Sequence, residues 1–438
     1  MKFRFKSLIM AFLISSVIGV GISYGKLYLF HIILLLLIFA YIQKRNNKKI
    51  VIFKKCPSSF HKFFYFMLIW YFFSLTWSIS RLYSLQYLFY ILCGISISLT
   101  IIYFAWDENL LLQIIKALSI PFIIEVVISL LESFRLFRYP ISPFSPYVTY
   151  FAREMKIDMG LADNIVQELM QSPTGFQWNP NDLALAILMI FPFFFLSKNK
   201  ILKIFAIIST AIIIVKSGSR GMFLALLFMI MIYFIFISKK KIIAISFFVI
   251  LVSINIINAN YLPNYFLNSE NPRIREIAYS YSALISYIRF DSYNDNDSIG
   301  VRQQLIKNGL IGLKNSHYLG VGGGGSRALA ERLGGIDGRV TSMHNFWIEV
   351  LVDSGIVFFI IFLIWYSKIL IGLLRVVNHT KYKFLKYVAS SCFLSMGGFL
   401  LGAIVPSSVI YFFPMWIMYG ISIATINIYN KEKVAYIL

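Results

Sequence analysis

Acidic residues are scarce in this chain. Its 438 residues include 19 Asp and Glu against 41 Lys and Arg, and the four types together make up 14%. Soluble domains average about a quarter charged residues, so an ordinary water-soluble globule is excluded. Cysteine is nearly absent, and Cys56, Cys93 and Cys392 fall in no metal or redox spacing. No strand–glycine–helix fingerprint for a dinucleotide occurs. With no internal repeat and no low-complexity linker, residues 1–438 read as a single domain.

Apolar residues fill the space left by charge. The chain is 59% hydrophobic and 17% aromatic, with 42 Phe. Runs of nearly twenty apolar residues recur, each long enough to cross a hydrocarbon core of about 30 Å. The expected fold is an all-α polytopic membrane protein of about twelve spans. The spans are read at 8–24, 27–42, 63–80, 85–105, 110–133, 182–197, 201–215, 220–237, 242–259, 346–372, 387–405 and 409–428. Met1 to Ser16 has the basic start of a signal peptide but no small-residue cleavage site, so it reads as a retained first helix.

The net charge of +22 would suggest nucleic acid in a soluble protein. Here the Lys and Arg cluster between apolar runs, where they set topology, so no nucleic-acid partner is expected. One set of loops carries most of them, from Lys2, Arg4 and Lys6 through Lys239–Lys241 to Lys431 and Lys433. The opposite short loops hold Lys26, Arg81, Lys216 and Arg220. The positive-inside rule puts both termini in the cytoplasm, and an even number of spans requires the same. Two long loops, 134–181 and 260–345, then fall on the outer face. They hold enough polar residues to build a site.

The first long loop ends Gly175-Phe176-Gln177-Trp178-Asn179-Pro180-Asn181-Asp182. Asn179 and Pro180 favour a turn, and Asn181 or Asp182 suits a helix N-cap. The aromatics fit either an interfacial belt or a sugar platform. Arg220 opens a helix after a Gly-Ser turn, where a cation opposes the helix dipole. Its guanidinium suits bidentate phosphate binding, and snorkelling to lipid headgroups is the plainer alternative.

Residues 298–315 read as an amphipathic helix carrying Arg302 on its first turns. The run from Leu319 to Ser326 includes Gly320 and Gly322; such a stretch is a flexible loop or a backbone phosphate cradle. Next, His344 and Asn345 stand where the outer loop re-enters the membrane, with Asn345 also a candidate cap. Glu349 and Asp353 are four residues apart and share one helical face. Carboxylates inside a span usually face a cavity or a partner. A neutral imidazole beside a carboxylate is a common general base.

Taken in order, these segments resemble the O-antigen ligase and polymerase superfamily of bacterial membrane glycosyltransferases. The matching residues are Gly175 with Asn179-Pro180-Asn181-Asp182, Ser219-Arg220-Gly221, Arg302 followed by Gly320-Val321-Gly322, and His344-Asn345 with Glu349 and Gly355. Four successive glycines after Val321 depart from the family's more varied pattern.

The resemblance implies that Arg220 and Arg302 hold the diphosphate of a polyprenyl-linked glycan donor. It implies that His344 acts on the hydroxyl of a glycan acceptor. Arg220, Arg302 and His344 are thus the candidate catalytic residues. Asn179, Asp182, Gly320, Gly322, Asn345 and Glu349 are the candidate substrate-binding ones. No metal and no other cofactor is implied. The implied partners are the donor, the acceptor, the lipid bilayer and other polysaccharide assembly proteins. The implied place is the bacterial cytoplasmic membrane, with the site extracytoplasmic. The favoured reading is a polymerase of carrier-linked repeat units. A ligase moving finished glycan to a lipid or cell-wall acceptor is the alternative. A lipid-linked sugar transporter using Glu125, four residues after Pro121, is a further one.

Overall fold

The computed structural model describes residues 2–46, 58–157, 166, 169–238, 240–243, 246, 249, 275, 298–333 and 342–437. Among these, the regular structure is helical apart from a hairpin of two very short antiparallel strands, β1 (Ser23–Tyr24) and β2 (Leu27–Tyr28). The helices are α1 (Lys2–Ile18), α2 (Leu29–Asn46), α3 (Lys62–Ser74), α4 (Arg81–Phe104), α5 (Glu108–Ser133), α6 (Pro180–Phe195), α7 (Lys200–Lys216) and α8 (Arg220–Ile232). They continue with α9 (Ser298–Asn315), α10 (Gly325–Arg332), α11 (Phe346–His379), α12 (Lys383–Gly402) and α13 (Phe413–Ile437). A helix lies over each expected span except 242–259, most of which falls outside the described residues.

Four of these helices, α4, α5, α11 and α12, are long and apolar enough to cross a membrane. The packing has the inverted polarity of a protein in lipid. Ile120 and Ile201 lie 61% and 80% exposed, while Glu125, Ser129 and Glu132 on α5 are buried. In water the reverse arrangement would lower the free energy; in hydrocarbon, polar groups turn inward to find partners.

Two span ends differ from expectation. α1 stops at Ile18, because Gly19 to Gly21 form a 3₁₀ turn that feeds the hairpin around Gly25. α3 stops at Ser74; beyond it the Ser78 hydroxyl accepts the Ser80 N–H at 3.2 Å and sets a turn instead of more helix.

The chain divides into two compact units: Met1–Trp70 with Tyr87–Met229 and Ile361–Leu438, and Tyr71–Gln86 with Ile230–Ile360. In the first, α12 packs along α6. α12 offers Ser391, Ser395, Gly398 and Gly402, small enough for close approach. A Cβ on Gly402 would meet Leu185 at 2.8 Å. The Ser395 and Tyr387 hydroxyls donate to the Met189 and Phe193 carbonyls of α6. In the same unit Trp416 of α13 fills the space left by Gly94 of α4, and Ser98 donates to its carbonyl at 2.7 Å.

The second unit has its own small core of Leu305, Val321, Ala330, Met343 and Val352. It gathers α9, the glycine run, α10 and the start of α11.

Candidate functional site

The second unit is organised by a break in α11. Gly355 adopts φ 83°, ψ 169°, which is not helical. The break frees carbonyls that an unbroken helix would have used. The glycine run takes them: Val321 N–H donates to Val352 O at 2.9 Å, and Gly322 N–H to Asp353 O at 3.0 Å. In return Ile356 N–H donates to Tyr318 O at 3.1 Å. Gly320 and Gly355 cross back to back, and a Cβ on Gly320 would sit 2.5 Å from Gly355 N. Both have positive φ, so each is glycine for conformation and for space.

Asp353 completes the arrangement. Its buried carboxylate accepts the N–H groups of Gly324 and Ser326, at 2.8 Å each. It therefore caps the start of α10 from outside that helix. The Ser84 hydroxyl donates to Gly323 O at 2.8 Å on another side. The run from Gly320 to Ser326 is a stapled turn, not the flexible loop expected of its composition. Five of its N–H groups, those of Val321, Gly322, Gly324, Gly325 and Ser326, are satisfied within the chain.

α9 begins at Ser298 and ends at Asn315, as the amphipathic pattern predicted. Its Leu305 packs with Met343 and Val352. Gly309 brings it so close that a Cβ there would meet Met343 Cε at 2.0 Å. Arg302, half-buried, stands one turn before Leu305, and His344 follows Met343 directly. One core cluster thus packs together the two segments that carry Arg302 and His344. His344 has φ 47°, an uncommon conformation for a side-chain-bearing residue, found at sites that must re-aim a chain.

Asn345 caps α11, its Oδ1 accepting from Trp347 N at 3.1 Å and Ile348 N at 3.2 Å. One turn on, Glu349 is buried, as is Asp353. Tyr71 is buried within electrostatic range of both carboxylates. The shared face inferred from the four-residue spacing is the face turned into protein.

In the first unit a strap of irregular backbone, Pro173 to Trp178, runs along α5 between two glutamates seven residues apart. Glu132 Oε2 accepts Thr174 N–H at 2.7 Å and Gly175 N–H at 2.8 Å. Arg138 lies 3.4 Å from Glu132 Oε1 and donates to Ser172 O at 3.0 Å. Burial pulls the Arg138 guanidinium below its ordinary value, and the Glu132 carboxylate opposes that. Gln177 Nε2 donates to Glu125 Oε1 at 2.9 Å. Irregular backbone beside membrane helices is tolerated where protein covers it, and the two glutamates supply that cover.

α6 starts from this strap. Its N-cap is Asn179, whose Oδ1 accepts Asn181 N–H at 2.8 Å, with Pro180 following. This corrects the expectation of Asn181 or Asp182: proline at the first helical position fixes the turn one step earlier. Asp182 is buried on the first turn, with Oδ1 free of hydrogen bonds and Lys156 its opposing charge. Arg220, also in this unit, opens α8 as expected.

Glu132 and Arg138 carry the strap and were not singled out from the sequence. The seven-residue spacing of Glu125 and Glu132 within one apolar run was the signal for them.

This architecture defines a multi-pass α-helical membrane protein with a broken-helix site. Residues 204–363 match the sequence family described as O-antigen ligase. A stretch of 133 residues is 26% identical to the teichuronic acid biosynthesis protein TuaE of Bacillus subtilis (strain 168), covering 30% of this chain and 27% of that protein. These likenesses support the resemblance to the O-antigen ligase and polymerase superfamily.

Proposed function

We propose that this chain is a membrane glycosyltransferase that polymerises polyprenyl-diphosphate-linked repeat units of a surface polysaccharide. It works at the outer face of a bacterial cytoplasmic membrane, with about twelve spans and both termini cytoplasmic. The observation that carries the reading is the core of Leu305, Met343 and Val352, which packs the Arg302 and His344 segments together inside the family-matched region.

The chemistry follows from the residue types. The donor's anomeric carbon already bears a good leaving group. The acceptor oxygen attacks that carbon, the carbon–oxygen bond to phosphate breaks, and the electron pair leaves with the diphosphate. Arg302 and Arg220 offset the charge that develops there, with no proton to lose at neutral pH. The hydroxyl proton goes to the His344 imidazole. Asn345 fixes the start of α11 beside His344, and Glu349 supplies a carboxylate one turn further. Asn179 and Asp182 are assigned to substrate binding. Gly320 and Gly322 act through the turn they permit. Other polysaccharide assembly proteins are its partners in the membrane.

The test is polymer length in cells. Replacing Arg220, Arg302 or His344 with Ala abolishes long surface polymer while the chain still inserts. Normal polymer from all three variants would remove the site assignment. Loss of finished polymer from its final acceptor, with long carrier-linked chains accumulating, would make the protein a ligase instead.

A further inference from the structure

Arg153 stands apart from the proposed reaction centre and has no counter-ion among the described residues. It is set firmly in place. Residues Pro146–Phe151 form a 3₁₀ turn closed by Ala152 at φ 54°. The β1–β2 hairpin is pinned to that turn by Gly25 N–H, which donates to Phe151 O at 2.8 Å. The Arg153 guanidinium then lies 4.6 Å from the Trp178 ring centre and 5.8 Å from that of Tyr28. Nη2 donates to Ser23 Oγ at 3.1 Å, while Nε is buried and makes no hydrogen bond. Lys156 adds a second cation, 5.8 Å from the Trp178 ring centre. The acidic group acting on this pair is Asp182, whose charge bears on Lys156.

A guanidinium has five N–H donors, and a purely structural one is usually paired with a carboxylate or with carbonyls. Here two aromatic rings lie beside it, and one hydroxyl takes one donor. Aromatic rings orient a guanidinium without neutralising it. The result is a half-buried cation with donors to spare, beside an indole and an ammonium. That combination fits a sugar ring bearing an oxyanion: the carboxylate pairs with the guanidinium fork, and the sugar lies over apolar ring surface.

We propose that Arg153, Lys156 and Trp178 form a subsite for an acidic saccharide, a sugar residue carrying a carboxylate. The subsite would select the glycan and take no part in bond making. It rests on the glycosyltransferase reading above, and its test separates the two.

The experiment uses the full chain purified in detergent. The probes are a uronic-acid disaccharide and its carboxyl-reduced counterpart, measured by equilibrium dialysis without turnover. The acidic probe should bind about tenfold more tightly than the neutral one. Arg153→Gln should erase that difference, and Arg153→Lys should restore part of it. Trp178→Phe should weaken both probes alike. Thermal unfolding of each variant shows whether it is folded. Equal binding of the two probes by the wild type overturns the proposal. So does displacement of the acidic probe by pyrophosphate or by phosphatidylglycerol at equal concentration, which would make the cluster a phosphate or lipid-headgroup site. A protein that binds the acidic probe but transfers no carrier-linked glycan keeps the subsite and sinks the enzyme reading. Transfer activity without acidic preference does the reverse.

Discussion

The Glu132 carboxylate accepts the backbone N–H of Gly175 at 2.8 Å, across 43 positions of sequence. It also accepts Thr174 N–H and pairs with Arg138. One fully buried carboxylate thereby closes the loop that leads to α6 and its Asn179 cap. Removing it leaves the Tyr139, Thr174 and Gly175 amides without that acceptor and Arg138 without its opposing charge. Glu132→Ala should cost about 3–5 kcal/mol, the usual penalty for stripping one partner from a buried pair. Glu132→Gln, which keeps one acceptor oxygen, should cost less. Unfolding in detergent measures both, and wild-type stability in Glu132→Ala would contradict the role given to the strap.

Gly320 and Gly218 make a matched comparison. Both have positive φ, 89° and 67°. A Cβ on Gly320 would strike backbone at 2.5 Å, whereas one on Gly218 meets nothing within 4 Å. Gly218→Ala should therefore cost about 1 kcal/mol, from conformation alone. Gly320→Ala should cost about 3 kcal/mol or more, because neither backbone can give way. Equal unfolding midpoints for the two variants would show that the crossing with Gly355 is not tight.

Asp353 sets up a test of the broken helix. Asp353→Ala leaves the Gly324 and Ser326 amides buried and unpaired, at about 1–3 kcal/mol each. The expected result is faster hydrogen exchange at residues 322–328, with α12 unchanged. Unaltered exchange in the glycine run would mean that the carboxylate does not hold it.

The sequence made the helices legible because lipid demands long apolar runs, and α9 was legible to the residue because its apolar face faces a core. The positions of Arg220, Arg302, His344 and Asn345 were readable as helix starts and first turns. What stayed hidden was long-range. The span 346–372 reads as continuous, and only contact with Gly320 explains the break at Gly355. The glycine run looks loose until Asp353 is seen to satisfy it from 29 positions away. The cap of α6 falls on Asn179 and not on Asn181 or Asp182, because Pro180 takes the first helical position.

A reconstituted assay tests the central claim most directly. The purified chain in lipid vesicles is given carrier-linked repeat units, and products are separated by size beside Arg302→Ala and His344→Ala controls. The account predicts a ladder of lengthening glycans from the wild type and none from either control, with the controls unfolding at the wild-type temperature. A ladder of equal yield from the controls, or no transfer by the wild type to any acceptor supplied, would contradict it.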